Sequence, residues 1–136
     1  MKQSFLPLGA VLGDPAIDTA HGLVFEVLQK TLRLPVEQFR TSYGEVVKGM
    51  EMDFRREEEL METFQCPDAR LHREQHARML AGLHHAGSAL QQGDDQQAYL
   101  ALHALAEWLP FHIATQDRHL LRAVRERGPA HNGQPV

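Results

Sequence analysis

Cysteine is nearly absent from this sequence: Cys66 is the only one in 136 residues. A single thiol excludes a disulfide framework and a thiolate zinc cluster, both of which need several. Long apolar runs are missing too. No stretch approaches the roughly 20 apolar residues of a membrane-spanning helix, so no membrane partner is expected. The segment from Phe5 to Leu12 follows Lys2 and is largely apolar, yet it holds Pro7 and Gly9 and lacks a small-x-small cleavage pattern. It reads as an ordered N-terminal arm and not as an export signal, which sets the expected location in the cytoplasm. An excess of basic charge is also lacking. Lys and Arg number 14 against 18 Asp and Glu, for a net charge of −4 with the signs interspersed. A nucleic-acid binder would show a basic face, so nucleic acid is not an expected partner.

The length suits one domain. A chain of this size buries roughly two thirds of its unfolded surface, enough for a core without a structural metal. Any metal site is then expected to serve function and not folding. The abundant residue is histidine, with nine, most of them in the second half.

Punctuation divides the chain into an arm and four helices, an all-α pattern. The arm covers residues 1–16. The first helix is expected from about Ile17 to Leu34, where Ile17, Val24, Leu28 and Leu32 recur at helical spacing after Asp14-Pro15. Pro35 opens the second helix, about Val36 to Phe64. Gly44 and Gly49 each weaken it by about 1 kcal/mol relative to Ala. The break Gln65-Cys66-Pro67-Asp68 precedes a third helix over about 68–91, with Asp68 placed to cap it. Gly93 stops that helix, and Asp94 or Asp95 caps a fourth, running to about Arg127 before Gly128-Pro129 and a loose tail over 128–136. Pro110 inside the fourth helix should kink or widen it. Short loops between four long amphipathic helices imply an antiparallel up-down-up-down four-helix bundle over residues 17–127.

Candidate ligands sit on each helix. His72 and His76 are four apart beside Leu71, Met79, Leu80 and Leu83, so both imidazoles share a face and form a chelating arm. Asp53 and Glu57 have the same spacing, although Glu57-Glu58-Glu59 also reads as a solvated acidic run. His112 and Asp117 lie near Trp108, Leu109, Phe111 and Ile113, and His21 lies among Ile17, Val24 and Phe25. Singly, each has an ordinary reading as a surface group or a hydrogen-bonded core histidine. Together they place one or two imidazoles or carboxylates on every helix, and a bundle converges such groups at its centre. Mixed nitrogen and oxygen ligands suit iron, with zinc, copper and manganese also able to bind.

These motifs resemble the hemerythrin family. Ile17-Asp18-x-x-His21 is similar to its first-helix signature. Asp53-Phe54-x-x-Glu57-Glu58-x-Leu60-Met61 is similar to its second-helix motif, which normally has His where Asp53 stands. His72-x-x-x-His76 with Met79-Leu80 matches the third helix, and Trp108-Leu109-x-x-His112-Ile113-x-x-x-Asp117 the fourth. The resemblance covers roughly residues 17–121.

The resemblance implies a non-haem di-iron centre, two iron ions with a bridging oxo or hydroxo group. His72, His76 and His112 would bind the first iron, and His21 and Asp53 the second. Glu57 and Asp117 would bridge them. Dioxygen, or another small diatomic or anionic ligand, would bind at the second iron, with Leu109, Ile113 and Trp108 as expected pocket walls. The implied function is oxygen binding for storage, delivery or sensing, and not an enzymatic reaction. Two other classes stay open: a redox protein acting on peroxide or nitric oxide, and a metal-independent helical interaction module. Asp53 makes the ligand set four His and three carboxylates, a charge of −3 where the family set carries −2. His112 and Asp117 are five apart, about 140° round an ideal helix and ~7.5 Å along it. They converge only if the helix widens locally or the side chains reach. Among the other histidines, His119 is placed beside Asp117 as a supporting group, and His84, His85, His103 and His131 are expected bystanders.

Overall fold

The computed structural model describes residue 6 and residues 8–131. Four long helices carry the fold: α1 Pro15–Leu32, α2 Val36–Thr63, α3 Ala69–Gln91 and α4 Gln96–His112. A π turn over Ile113–Asp117 joins α4 to its continuation, α5 Arg118–His131, and a 3-10 turn, Leu8–Ala10, lies in the arm. There is no strand among the described residues. Successive helices pack on one another and α4 packs back on α1. Short connections then make the four-helix bundle antiparallel.

Local chemistry sets the helix ends. Asp14 accepts hydrogen bonds from the backbone N–H of Ala16 and Ile17, both at 3.1 Å, and Pro15 stands in the first turn where its missing N–H is harmless. Gly93, at φ 99°, terminates α3: its N–H donates to the Leu90 carbonyl, and that of Asp94 donates to Ala89. Asp68 occupies the position before α3 but makes no side-chain cap, because its own backbone is left-handed at φ 63°. At α4, Asp94 Oδ1 accepts from the Gln96 N–H at 3.2 Å while Asp95 makes no cap bond. The expected stop at Arg127 is not observed. Gly128-Pro129 lies inside α5, near its end, where the N–H that proline lacks costs a single intrahelical bond. Of the expected tail, residues 132–136 lie outside the described residues, as do residues 1–5 and 7 of the arm.

The helix with two interior glycines, α2, is continuous because packing outweighs propensity. Phe39, Tyr43, Val46, Met50 and Phe54 are buried along its length. Each such side chain contributes about 1.5–3 kcal/mol, so the five together far exceed what the two glycines remove. The Tyr43 hydroxyl donates to the Leu83 carbonyl at 2.8 Å and ties α2 to α3. Arg118 fastens the arm by donating from Nη2 to the carbonyls of Gly9 and Val11, at 3.2 and 3.4 Å. Arg127 Nη1 donates to the carbonyls of Phe64 and Gln65 and so secures α5 against the end of α2. A band of buried polar residues lies among these helices, toward the end where α2 gives way to α3.

Candidate metal centre

That band consists of His21, Asp53, Glu57, His72, His76, His112 and Asp117, all buried. The helical period places each one inward. Asp53 and Glu57 stand one turn apart on α2, as do His72 and His76 on α3. The acidic run is split by that period: Glu57 is buried whereas Glu59 is exposed. Leu71, beside His72, faces solvent.

The π turn supplies the remaining alignment. The Arg118 N–H donates to the Ile113 carbonyl, a five-residue step. Upstream, Pro110 offers no N–H, and the Thr115 hydroxyl donates to the Phe111 carbonyl at 2.8 Å, a local bond that bends helices. The widened turn returns Asp117 to the face of His112, and its Oδ1 lies 3.3 Å from His112 Nε2.

The seven groups fall into two halves. In one, the Nε2 atoms of His72, His76 and His112 converge. His72 Nε2 is 3.2 Å from His112 Nε2, 3.3 Å from Glu57 Oε1 and 3.0 Å from Asp117 Oδ1. In the other, His21 Nε2 is 3.6 Å from Asp53 Oδ2, 3.6 Å from Glu57 Oε2 and 3.4 Å from Asp117 Oδ2. Glu57 and Asp117 thus each turn one oxygen to either half. Both halves have the composition and closeness to hold a metal ion.

The polar atoms are poorly satisfied by one another. Both Glu57 oxygens, Asp117 Oδ2, His76 Nε2 and His21 Nδ1 are buried without a hydrogen bond. His76 Nε2 lies 2.9 Å from Glu57 Oε1, yet the two are not aligned as donor and acceptor. An unpaired buried polar group costs about 1–3 kcal/mol, so the four of them that face inward, both Glu57 oxygens, Asp117 Oδ2 and His76 Nε2, mark a centre suited to cations. The donor set, four imidazoles and three carboxylates, fits two divalent or trivalent ions with mixed N and O ligation.

Protonation says the same of the metal-free state. Burial lowers the pKa of His21, but contact with Asp117 and Glu57 and the charge of Asp53 override it and raise it to about 10. His72 is raised to about 9 against the same burial, by Asp117 and Glu57. Burial, followed by the charge of Glu57, pushes Asp53 up to about 7. Asp117 is held well below the usual carboxylate range, because His112, His21 and His72 outweigh its burial. Glu57 is lowered by His21, His72 and His76 despite burial and the charge of Asp117. Protons therefore hold the positive charge that the carboxylates require.

Outer contacts orient the rings. His76 Nδ1 lies 2.8 Å from Glu58 Oε2, and His112 Nδ1 lies 3.0 Å from Gln75 Oε1. Each acceptor selects the tautomer that leaves Nε2 free for the centre. Phe54 stacks on His76 and Trp108 on His112, with ring centroids 3.8 and 4.3 Å apart. Gln75 had no signature in the sequence. Glu58 and Phe54 stood inside a motif but without an assigned orienting role; a polar residue at helical spacing from a ligand was the available signal. His119 does not support Asp117. Two residues along a helix is about 200° round it, and His119 Nε2 instead faces Asp68 Oδ2 at 3.6 Å. His84, His85 and His103 are exposed, and nothing is described of the His131 side chain.

A cavity of about 150 Å³ adjoins the His21–Asp53 half. Ile17, Ala20, Leu60, Leu120 and Leu121 form its apolar walls, and Arg56 stands at its edge. The expected walls Leu109, Ile113 and Trp108 do not line it. The cavity opens between α1, α2 and α5, whereas Leu109 and Ile113 are core residues and Trp108 covers His112.

No family model matches the chain. A curated relative, bacteriohemerythrin of Ralstonia nicotianae (strain ATCC BAA-1114 / GMI1000), is 25% identical over 118 residues, 87% of this chain and 86% of that protein.

Proposed function

We propose that this hemerythrin-like chain is a non-haem di-iron protein that binds oxygen for storage, delivery or sensing. One observation carries the proposal: Glu57 and Asp117 each direct one oxygen at the three-histidine half and the other at the His21–Asp53 half. Carboxylates split in this way are placed to bridge two ions. In this reading His72, His76 and His112 hold the first iron, His21 and Asp53 the second, and Glu57 and Asp117 both. The bacteriohemerythrin likeness supports iron as the metal.

When bound, the iron pair supplies the two electrons that reduce dioxygen reversibly. The protein residues set the conditions for that. The unequal ligand count, three imidazoles against one imidazole and one carboxylate, leaves the second half less enclosed, and the cavity lies on that side. Its apolar walls suit a small uncharged molecule. The same proposal sets the protein in the cytoplasm, where the lone unpaired Cys66 stays reduced.

Asp53 favours a second reading. A carboxylate in place of imidazole adds negative charge and stabilises ferric iron, as a redox protein acting on peroxide or nitric oxide would use. An anaerobic ferrous titration followed by an oxygen pulse separates the readings. Two irons per chain and a spectrum that reverses on removing oxygen establish oxygen binding, whereas fast irreversible oxidation establishes the redox alternative. Loss of iron in His76→Ala but not in His84→Ala ties the metal to this centre; a wild type that takes up neither iron nor zinc, copper or manganese leaves a metal-independent helical module.

A further inference from the structure

Asp53 divides its two oxygens between two partners of different kinds. Oδ2 faces His21 Nε2 at 3.6 Å, inside the centre, whereas Oδ1 faces Arg56 Nη2, also at 3.6 Å, at the cavity edge. Asp53 is buried and the Arg56 side chain is 59% exposed. The two are three apart on α2, one helical face. We infer that Arg56 is a positioning residue for the second half of the site. Its guanidinium holds Asp53 with one oxygen turned inward and balances the charge which that carboxylate adds. The inference rests on the di-iron proposal, in which Asp53 is a ligand.

Charge counting supports the role. Four neutral imidazoles and three carboxylates carry −3, and one guanidinium beside them makes the local sum −2. That equals the sum for five imidazoles and two carboxylates, the set the chain would have with an imidazole in place of the Asp53 carboxylate. The compensation is permanent, because a guanidinium stays protonated at any working pH. Among the described residues Arg56 is the one cation in contact with the seven-residue cluster. Its neighbour Arg55 is a helical step of about 100° away and is exposed.

Geometry also says how the contact acts. At 3.6 Å it exceeds hydrogen-bond length, so charge and proximity matter more than a directed N–H···O bond. An ion pair with a largely exposed partner adds little to folding stability. Its effect is expected at the metal, where the freedom of a ligand side chain changes affinity. Lys at this position should therefore serve nearly as well as Arg, and Ala should not.

The test is anaerobic ferrous titration against a competing chelator, with the three-histidine half as internal control and the potential of the loaded pair as a second readout. Wild type, Arg56→Ala, Arg56→Lys, Asp53→His and the double variant Asp53→His with Arg56→Ala are compared. Arg56→Ala is expected to weaken the second iron on the order of 10- to 100-fold, leave the first unchanged and lower the potential. Arg56→Lys restores both properties. In the Asp53→His background, Arg56→Ala no longer weakens the second iron, because there is no carboxylate left to position. Wild-type behaviour in Arg56→Ala overturns the inference, as does an equal loss in both halves or an equal weakening of the second iron in the Asp53→His background. A wild type that takes up one iron or none overturns the di-iron proposal first, and the role of Arg56 with it.

Discussion

The ring of Phe54 lies flat on the imidazole of His76, with centroids 3.8 Å apart and planes 7° from parallel. Glu58 holds the Nδ1 edge of the same imidazole. The ring is thus fixed in both tilt and rotation by two residues of α2, although His76 belongs to α3. A ligand held this way loses little freedom when a metal arrives.

Phe54→Ala is expected to destabilise the fold by about 3–5 kcal/mol, since Phe54 is 1% exposed. Urea unfolding of metal-free protein measures that part. Metal affinity should fall as well, and Phe54→Leu, which refills most of the space without a flat face, separates the two effects. Unchanged affinity in Phe54→Leu would show that stacking plays no part in orienting His76.

Gln75 accepts from Nδ1 of His112, so Gln75→Leu removes the tautomer control of one imidazole while leaving the core intact. Metal affinity of the three-histidine half is expected to drop on the order of 10-fold, with the thermal midpoint of metal-free protein nearly unchanged. Gln75→Glu keeps an acceptor at the same place and should retain the affinity. Competition with a chromophoric chelator measures all three proteins.

Metal loading near pH 7 should release protons, because His21 and His72, raised to about 10 and 9, are charged before the metal binds and neutral after. Asp53, raised to about 7, adds a fraction of another. Titration in weakly buffered solution with a pH indicator counts them, and release of none would contradict the arrangement. Stability follows with a definite sign. Folded pKa values raised above the unfolded ones contribute stability that is complete below about pH 6.5 for the two histidines and lost as pH rises toward 9–10. Asp53 acts in the same sense between about 4 and 7. Glu57 and Asp117, lowered on folding, contribute stability above their unfolded values that is lost as pH falls through the folded ones. Metal-free protein should therefore melt at lower temperature at pH 9.5 than at pH 6.5, and loaded protein should show much less of that decline.

The π turn makes an unusual prediction about chain length. Its five residues cover the rotation that four cover in an α-helix, and Thr115 is exposed. Deleting Thr115 should convert the turn to regular α-helix and leave His112 and Asp117 facing the same way at a four-residue spacing. Metal stoichiometry and helical circular dichroism are expected to survive. Inserting one Ala after Thr115 should instead rotate Asp117 out of the centre and abolish metal uptake in the His21 half. Survival of the insertion, with loss in the deletion, would reverse the assignment of the widened turn.

Much of this protein can be read from residue spacing alone. A four-residue interval returns to the same helix face, so His72 with His76 and Asp53 with Glu57 declare inward pairs. The bundle follows from four amphipathic segments joined by short breaks. The ordinary reading of Glu57 as part of a solvated run gives way because Glu57 and Glu59 point in different directions round α2. Helical spacing itself separates His119 from Asp117 by about 200°, against the expectation drawn from their closeness in the chain.

What only the tertiary structure decided depends on groups from different helices meeting. The five-residue interval between His112 and Asp117 is ambiguous until the π turn forms. That turn combines a missing N–H at Pro110 with the Thr115 hydroxyl bond. The Gln75–His112, Glu58–His76 and Phe54–His76 contacts each join two helices, and helix periodicity contains no information about which neighbour a face will meet. The cavity walls are of the same kind. Leu60 from α2 and Leu120 and Leu121 from α5 surround the His21 half, while Leu109 and Ile113 fill the core. A sequence determines which side chains turn inward together on one helix. The packing of that helix against the others determines what those side chains touch.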